Sequence, residues 1–184
     1  MLGEIIYFLF IVLDLVFSIW NSYNAGQIFP TRRGIGELFY IFGGLLPMSY
    51  VASAIVSFFL GYLGYISLST FYFILSFNFL FFGLTFIIWG IIATLTSIMA
   101  FRGSHNWIAG LVAGYDAFVT IFDAWDYISG FMSSWKDIRR SMDSSDFSVL
   151  DVIVILLIAF GIGFVISYTA FKQGQKSSRI SYYW

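Results

Sequence analysis

The chain has no cysteine, one histidine and two prolines, and from Leu38 to Phe101 it runs sixty-four residues without one Asp, Glu, Lys or Arg. The missing cysteines exclude disulfides, thiolate metal sites and a Cys nucleophile, and they leave the redox compartment open. A lone His105 makes a bis-His haem site within one chain impossible. Charge is scarce as well: 10% of residues are charged and the formal net charge is −1. Such a chain projects no long-range field and has no Lys/Arg cluster to track phosphates, so nucleic acid is not an expected partner.

Reaction motifs are equally absent. There is no Gly-Lys-[Ser/Thr] phosphate loop, no Gly-x-Ser-x-Gly elbow and no His-Glu-x-x-His pair. Asp123-x-x-Asp126 has the look of a Mg²⁺-holding carboxylate pair for lipid-phosphate chemistry, but the further acids or bases that grip phosphates are missing. No enzyme activity and no cofactor are expected.

What the chain does have is apolar length. It is 60% hydrophobic with a mean hydropathy of +0.88, whereas a soluble domain is about 25% charged. A bilayer core of about 30 Å needs about 20 apolar helical residues, and unpaired backbone groups in hydrocarbon leave only helices and closed barrels as spanning structures. The expectation is an all-α integral membrane protein, a single domain bundling about five transmembrane helices with the lipid bilayer as its surroundings.

The first span is expected over about 2–23. Met1-Leu2-Gly3-Glu4 lacks the positive start of a secretory signal, so this segment is expected to stay, with Asn24-Ala25-Gly26 and Pro30 as stop signals. Arg32 and Arg33 then place the following loop in the cytoplasm and the N-terminus outside. The second span covers about 35–60, and Pro47 after Gly43-Gly44 predicts a kink or break, either for packing or to open a polar cavity. Gly61 to Tyr65 and Ser67 to Thr70 mark a turn before the third span, about 71–100. The last span covers about 149–171, with Asp146-Phe147-Ser148 and Asp151 suited to cap it. A short polar cytoplasmic tail, 172–184, ends in Ser181-Tyr182-Tyr183-Trp184, whose rings suit the headgroup level.

The segment 106–132 admits two architectures. Each mid-span Asp costs about +2.5 to +3.5 kcal/mol while each large apolar residue returns about −0.3 to −0.6, so Asp116, Asp123 and Asp126 cannot all face lipid. At 100° per residue Ala109, Val112, Asp116, Thr120, Asp123 and Tyr127 share one stripe, with Asp126 beside it. In one architecture this helix is the fourth of five spans; in the other it is an amphipathic helix on the cytoplasmic surface of a four-span protein. Both put six basic residues inside against three outside. Interfacial helices carry Lys and Arg on the polar face, whereas this face is acidic. Trp107 and Trp135, 28 residues apart, are separated by about 42 Å of helix, close to the roughly 40–45 Å of core plus interfaces. The spanning reading is preferred.

Asp14 is near the middle of the first span, with Ser18 and Asn21 at i+4 and i+7, and Asp116 is at similar depth in the fourth. No Lys or Arg lies inside a span to pair with them, and an ionisable residue in a membrane helix is a functional hypothesis by default. Burial and a neighbouring carboxylate both favour a protonated acid, which suits a proton pathway. Hard cations prefer oxygen ligands, and Asp14, Ser18, Asn21, Asp116, Thr120 and Asp123 supply that set. The plainer alternative is that these groups hydrogen-bond helix to helix, at about 0.6 kcal/mol per contact.

Gly110-xxx-Gly114 is a small-residue pattern that permits close helix packing on a different face, and Gly161 with Gly163 invites the same reading. His105 reads as an interfacial polar residue. The mixed-charge stretch Ser133 to Ser148 is expected as a solvated loop, and as the docking surface where there is a partner. The function expected is binding or conduction of a small cation or proton through the acidic face, as a homo-oligomeric channel or transporter in the cell membrane. The alternative is a non-catalytic structural or assembly subunit beside other membrane proteins.

Overall fold

The computed structural model describes the backbone of residues 2–104 and 107–177, and the side chains of 12–95, 98, 107 and 110–177. Among these residues there is no strand and there are five long helices: α1 (Leu2–Ile28), α2 (Arg33–Tyr62), α3 (Leu68–Ser104), α4 (Trp107–Met142) and α5 (Val149–Ser177). By length and composition α2, the Leu68–Leu95 part of α3, and α5 can each cross a membrane. His105 and the 181–184 tail lie outside the described residues.

The helices alternate in direction. Ser177 Oγ donates to Tyr23 Oη at 2.7 Å, which puts the ends of α1 and α5 together. That end also carries Arg32, Arg33, Arg102, Lys172 and Lys176, and we call it the basic end. At the opposite, serine-rich end, Ser69 Oγ donates to Asp146 Oδ1 at 2.6 Å and the Ser148 amide donates to Thr70 Oγ1 at 3.1 Å, joining the start of α3 to the connection between α4 and α5. Both helices leaving this end are capped by serine. The Thr70 amide donates to Ser67 Oγ at 3.1 Å and the Asp151 amide to Ser148 Oγ at 3.2 Å, each satisfying a first-turn N–H that the helix leaves open. Hydrogen bonds from Ser144, then from Ser69, hold the exposed Asp146 carboxyl below the usual aspartate range.

Pro47 does not break its helix. α2 runs unbroken from Arg33 to Tyr62, with a π-helical stretch over Tyr40–Leu45 just ahead of the proline. Proline lacks the N–H and crowds the carbonyl four residues earlier, here that of Gly43, and the widened π register relieves that crowding within a continuous helix. The turn that follows spans 63–67, with Gly64 at φ +74°.

Two further expectations change. Gly26 does not stop α1, which continues to Ile28; its bare Cα lets the carbonyl of Phe171 approach where a Cβ would overlap it. The 133–148 stretch is not a loop over most of its length, because α4 continues to Met142. No Gly or Pro interrupts it there, Asp137 pairs with Arg140 at 3.9 Å, and Arg139 and Arg140 face the negative pole of the helix dipole.

α2 is the most buried candidate span. It presents Ser49, Ser53 and Ser57 at four-residue intervals, all buried. Gly163 of α5 admits Ser49 so closely that a Cβ there would meet its hydroxyl at 2.7 Å, and Asn78 of α3 donates to Ser53 Oγ at 2.5 Å. α1 lies against α2 and α5, with Tyr40 and Phe29 packed on Phe171 at ring separations of 4.6 and 5.4 Å. α4 packs along α3, outside this group.

Candidate functional site

α3 and α4 run antiparallel, and glycines set their spacing. Gly90 is directly beneath Thr120, a Cβ on Gly83 would meet Tyr127 Cδ2 at 2.5 Å, and one on Gly130 would meet Phe79 Cζ at 2.9 Å. Gly83 and Gly90 are seven residues apart, so they recur on one face of α3. The face of α4 that fits them carries Thr120 and Tyr127, the same stripe that holds Asp116 and Asp123. Tyr127 adds a hydrogen bond from its hydroxyl to the Leu80 carbonyl at 3.2 Å. The stripe is thus turned into the bundle, while Leu111, Phe118, Ile121, Trp125 and Ile128 face outward and are exposed.

Near the middle of α1 to α4 is a half-open cavity of about 90 Å³, lined among the described residues by Asp14 of α1, Tyr50 of α2, Phe79, Gly83 and Phe86 of α3, and Asp123, Asp126 and Tyr127 of α4; Asp14 and Asp123 are half-buried and Asp126 is exposed. Three carboxyls from two helices therefore border one space, and no Lys or Arg among the described residues lines it. Asp14 and Asp123 are close enough to act on one another electrostatically, as are Asp123 and Asp126. Two such carboxylates without a base cannot both be ionised cheaply away from bulk water. Protonation, hydration or a bound cation relieves them.

The remaining expected site residues are near this cavity without lining it. Asp116 is buried, seven residues and about 10 Å of helix toward the basic end from Asp123. Thr120 donates to the Asp116 carbonyl at 2.5 Å. Ser18 and Asn21 are buried on α1; the Ser18 carbonyl accepts from Ser22 Oγ at 2.9 Å. The α1 to α4 contact continues at Phe17 and Tyr115, whose rings stack at 4.0 Å. Asn21 Nδ2, Trp89 Nε1 and Tyr115 Oη are buried donors with no acceptor among the described residues. Of the packing residues, Pro47 is buried, Gly110 is half-buried, and Gly114 is exposed with open space beyond its Cα. Gly161 likewise meets nothing, in contrast to Gly163.

Sequence reasoning passed over Tyr50, Phe79, Phe86 and the Asn78–Ser53 bond. Asn78 had a signal, being the one Asn inside the uncharged run. The aromatic walls had none, because Phe and Tyr are everywhere in this chain. Among the described residues no group of three His, Asp or Glu side chains is placed to hold a metal ion. Comparison with family models, curated proteins and solved structures finds no match for this chain.

Proposed function

We propose that this is a multi-pass membrane protein that binds or passes a small cation or a proton through the acidic cavity between α1 and α4. The observation that carries the reading is the convergence of Asp14 and Asp123, from helices far apart in sequence, on one half-open cavity with no basic lining residue among the described residues. A buried carboxyl group persists at a cost in a membrane, and the cost is met when it exchanges a proton or holds a cation. A proton needs no coordination shell, so the cavity accommodates it without rearrangement.

In this reading all five helices cross the bilayer. Spanning by α4 is supported by Asp116 being buried and Asp123 half-buried toward α3 and α1, though Asp126 is exposed, and by the outward Trp107 and Trp135, exposed as interfacial anchors would be. The basic end is cytoplasmic by the positive-inside rule, leaving the N-terminus outside and the C-terminus inside. A second reading, a non-catalytic subunit or a homo-oligomer, is favoured by the outward face of α4, where the open Gly114 would permit another helix to approach.

The test uses reconstituted vesicles. Asp14→Asn with Asp123→Asn should abolish proton- or cation-dependent flux, or the pH dependence of thermal stability, while leaving the fold intact. Should wild-type flux and stability ignore acid, Na⁺ and Ca²⁺ alike, the transport reading falls and the subunit reading is the better account.

A further inference from the structure

We infer that the cavity between α1, α2, α3 and α4 is a binding site for a small organic ammonium ion, a protonated primary or methylated alkylamine. This names the cation class for the site proposed above and rests on that reading. The inference is carried by the walls between the acids. Four of the eight described lining residues are aromatic, Tyr50, Phe79, Phe86 and Tyr127, and they come from three helices.

A bare hard cation gains little from such walls. Ca²⁺ wants six to eight oxygens at about 2.3–2.6 Å, and among the described residues no three acidic or His side chains gather for a metal. A proton gains nothing from rings at all. An alkylammonium uses both parts of the lining: its charge is met by the carboxyls and its polarised N–CH groups by the rings.

The rings are held for this. Tyr50 meets Phe86 edge-on, with centroids 5.0 Å apart and planes at 77°, and Phe79 lies beside Tyr127 at 5.7 Å and 30°. One pair joins α2 to α3 and the other α3 to α4, so the walls belong to the packing of the bundle rather than to mobile side chains. Gly83 forms the floor, where any side chain would push into Tyr127. A volume of about 90 Å³ has room for several waters, hence for one ammonium head and its nearest methyl or methylene groups. No Lys or Arg among the described lining residues competes for the position.

The experiment is a titration of the full chain in lipid nanodiscs with methylammonium, tetramethylammonium, NaCl and CaCl₂ at equal ionic strength. It is read by thermal stability and by tryptophan emission, since Trp89 is 6.2 Å from the wall residue Phe86. One of the two ammonium ions should bind at least tenfold tighter than Na⁺. Tyr50→Leu should remove that preference while keeping the response to acid, and Tyr50→Phe should retain it. Phe86→Leu reports the same loss if Tyr50→Leu fails to fold. Asp14→Asn with Asp123→Asn should lose both responses. Stabilisation by acid or Na⁺ with no ammonium preference overturns this inference and leaves the broader reading in place; indifference to every cation and to acid overturns both.

Discussion

Over its last turns α1 touches α5 backbone to backbone, whereas about 18 Å earlier along the same helix, at Asp14, it faces α4 across a cavity. At the first place Gly26 admits the Phe171 carbonyl and Gly174 admits that of Tyr23, so a Cβ on either would overlap main chain. At the second, three acids and four rings line the space between helices. The seam is made by omitting side chains, and it adds no polar group that must be paired. The cavity is made by retaining acidic and aromatic side chains, the acids being ones that a membrane interior would penalise. Under the proposed function, packing and binding fall on different parts of one helix.

The largest effect should come from filling the seam. Gly26→Leu drives a side chain into the main chain of α5, which cannot retreat without moving the helix, so the loss should reach or exceed the roughly 1–3 kcal/mol of ordinary overpacking. Gly114→Ala and Gly161→Ala enter open space and should instead gain up to ~1 kcal/mol of helix propensity. Thermal unfolding in detergent distinguishes them; equal behaviour of Gly26→Leu and Gly114→Ala would mean that α1 and α5 do not pack this closely.

A smaller loss is expected at the polar contact between α2 and α3. Asn78→Ala removes the 2.5 Å bond to Ser53 and should cost about 0.6 kcal/mol, up to about 1.7. The cavity should respond in the opposite sense. Asp123→Asn keeps the shape and removes a charge that has no base, so stability near neutral pH should hold or rise slightly. A clear loss of stability in Asp123→Asn would make the carboxylate part of the scaffold and remove the contrast with the seam.

Parts of this were legible beforehand because an uninterrupted helix keeps 100° per residue. The stripe through Asp116, Thr120, Asp123 and Tyr127 follows from that angle alone, and Thr120 and Tyr127 are the residues that meet Gly90 and Gly83. Depth was less legible than direction. Counting residues from each helix start paired Asp14 with Asp116, but α4 is 36 residues long and its axial offset against α1 is fixed by packing on α3, which brings Asp123 to the cavity. Gly26 and Gly43-Gly44 were ambiguous for a different reason. Glycine reads as a terminator or a hinge from local sequence, while its use here depends on Phe171, Ser22 and Trp89, each distant along the chain. The same holds for 133–148, where charge suggested a loop and the absence of Gly and Pro allowed a helix.

The smallest effect should come from the serine-rich end, which ties down the α4 side of the comparison without touching the seam. Asp146 accepts from Ser144 and from Ser69, linking the connection after α4 to the start of α3. These bonds favour its ionised form, so the folded carboxyl titrates below the usual aspartate value. Their contribution is complete above about pH 4, the unfolded value, and is lost as pH falls through the lowered folded value. Because Asp146 is fully exposed, water competes for every one of these bonds. Asp146→Ala should therefore lower the thermal midpoint by only about 1 °C at neutral pH, and the difference from wild type should shrink toward pH 3. A deficit that persists unchanged in acid would assign the effect to helix capping by the neighbouring serines, and a large one would place the hold on α4 in this loop rather than in the glycine-spaced contact with α3.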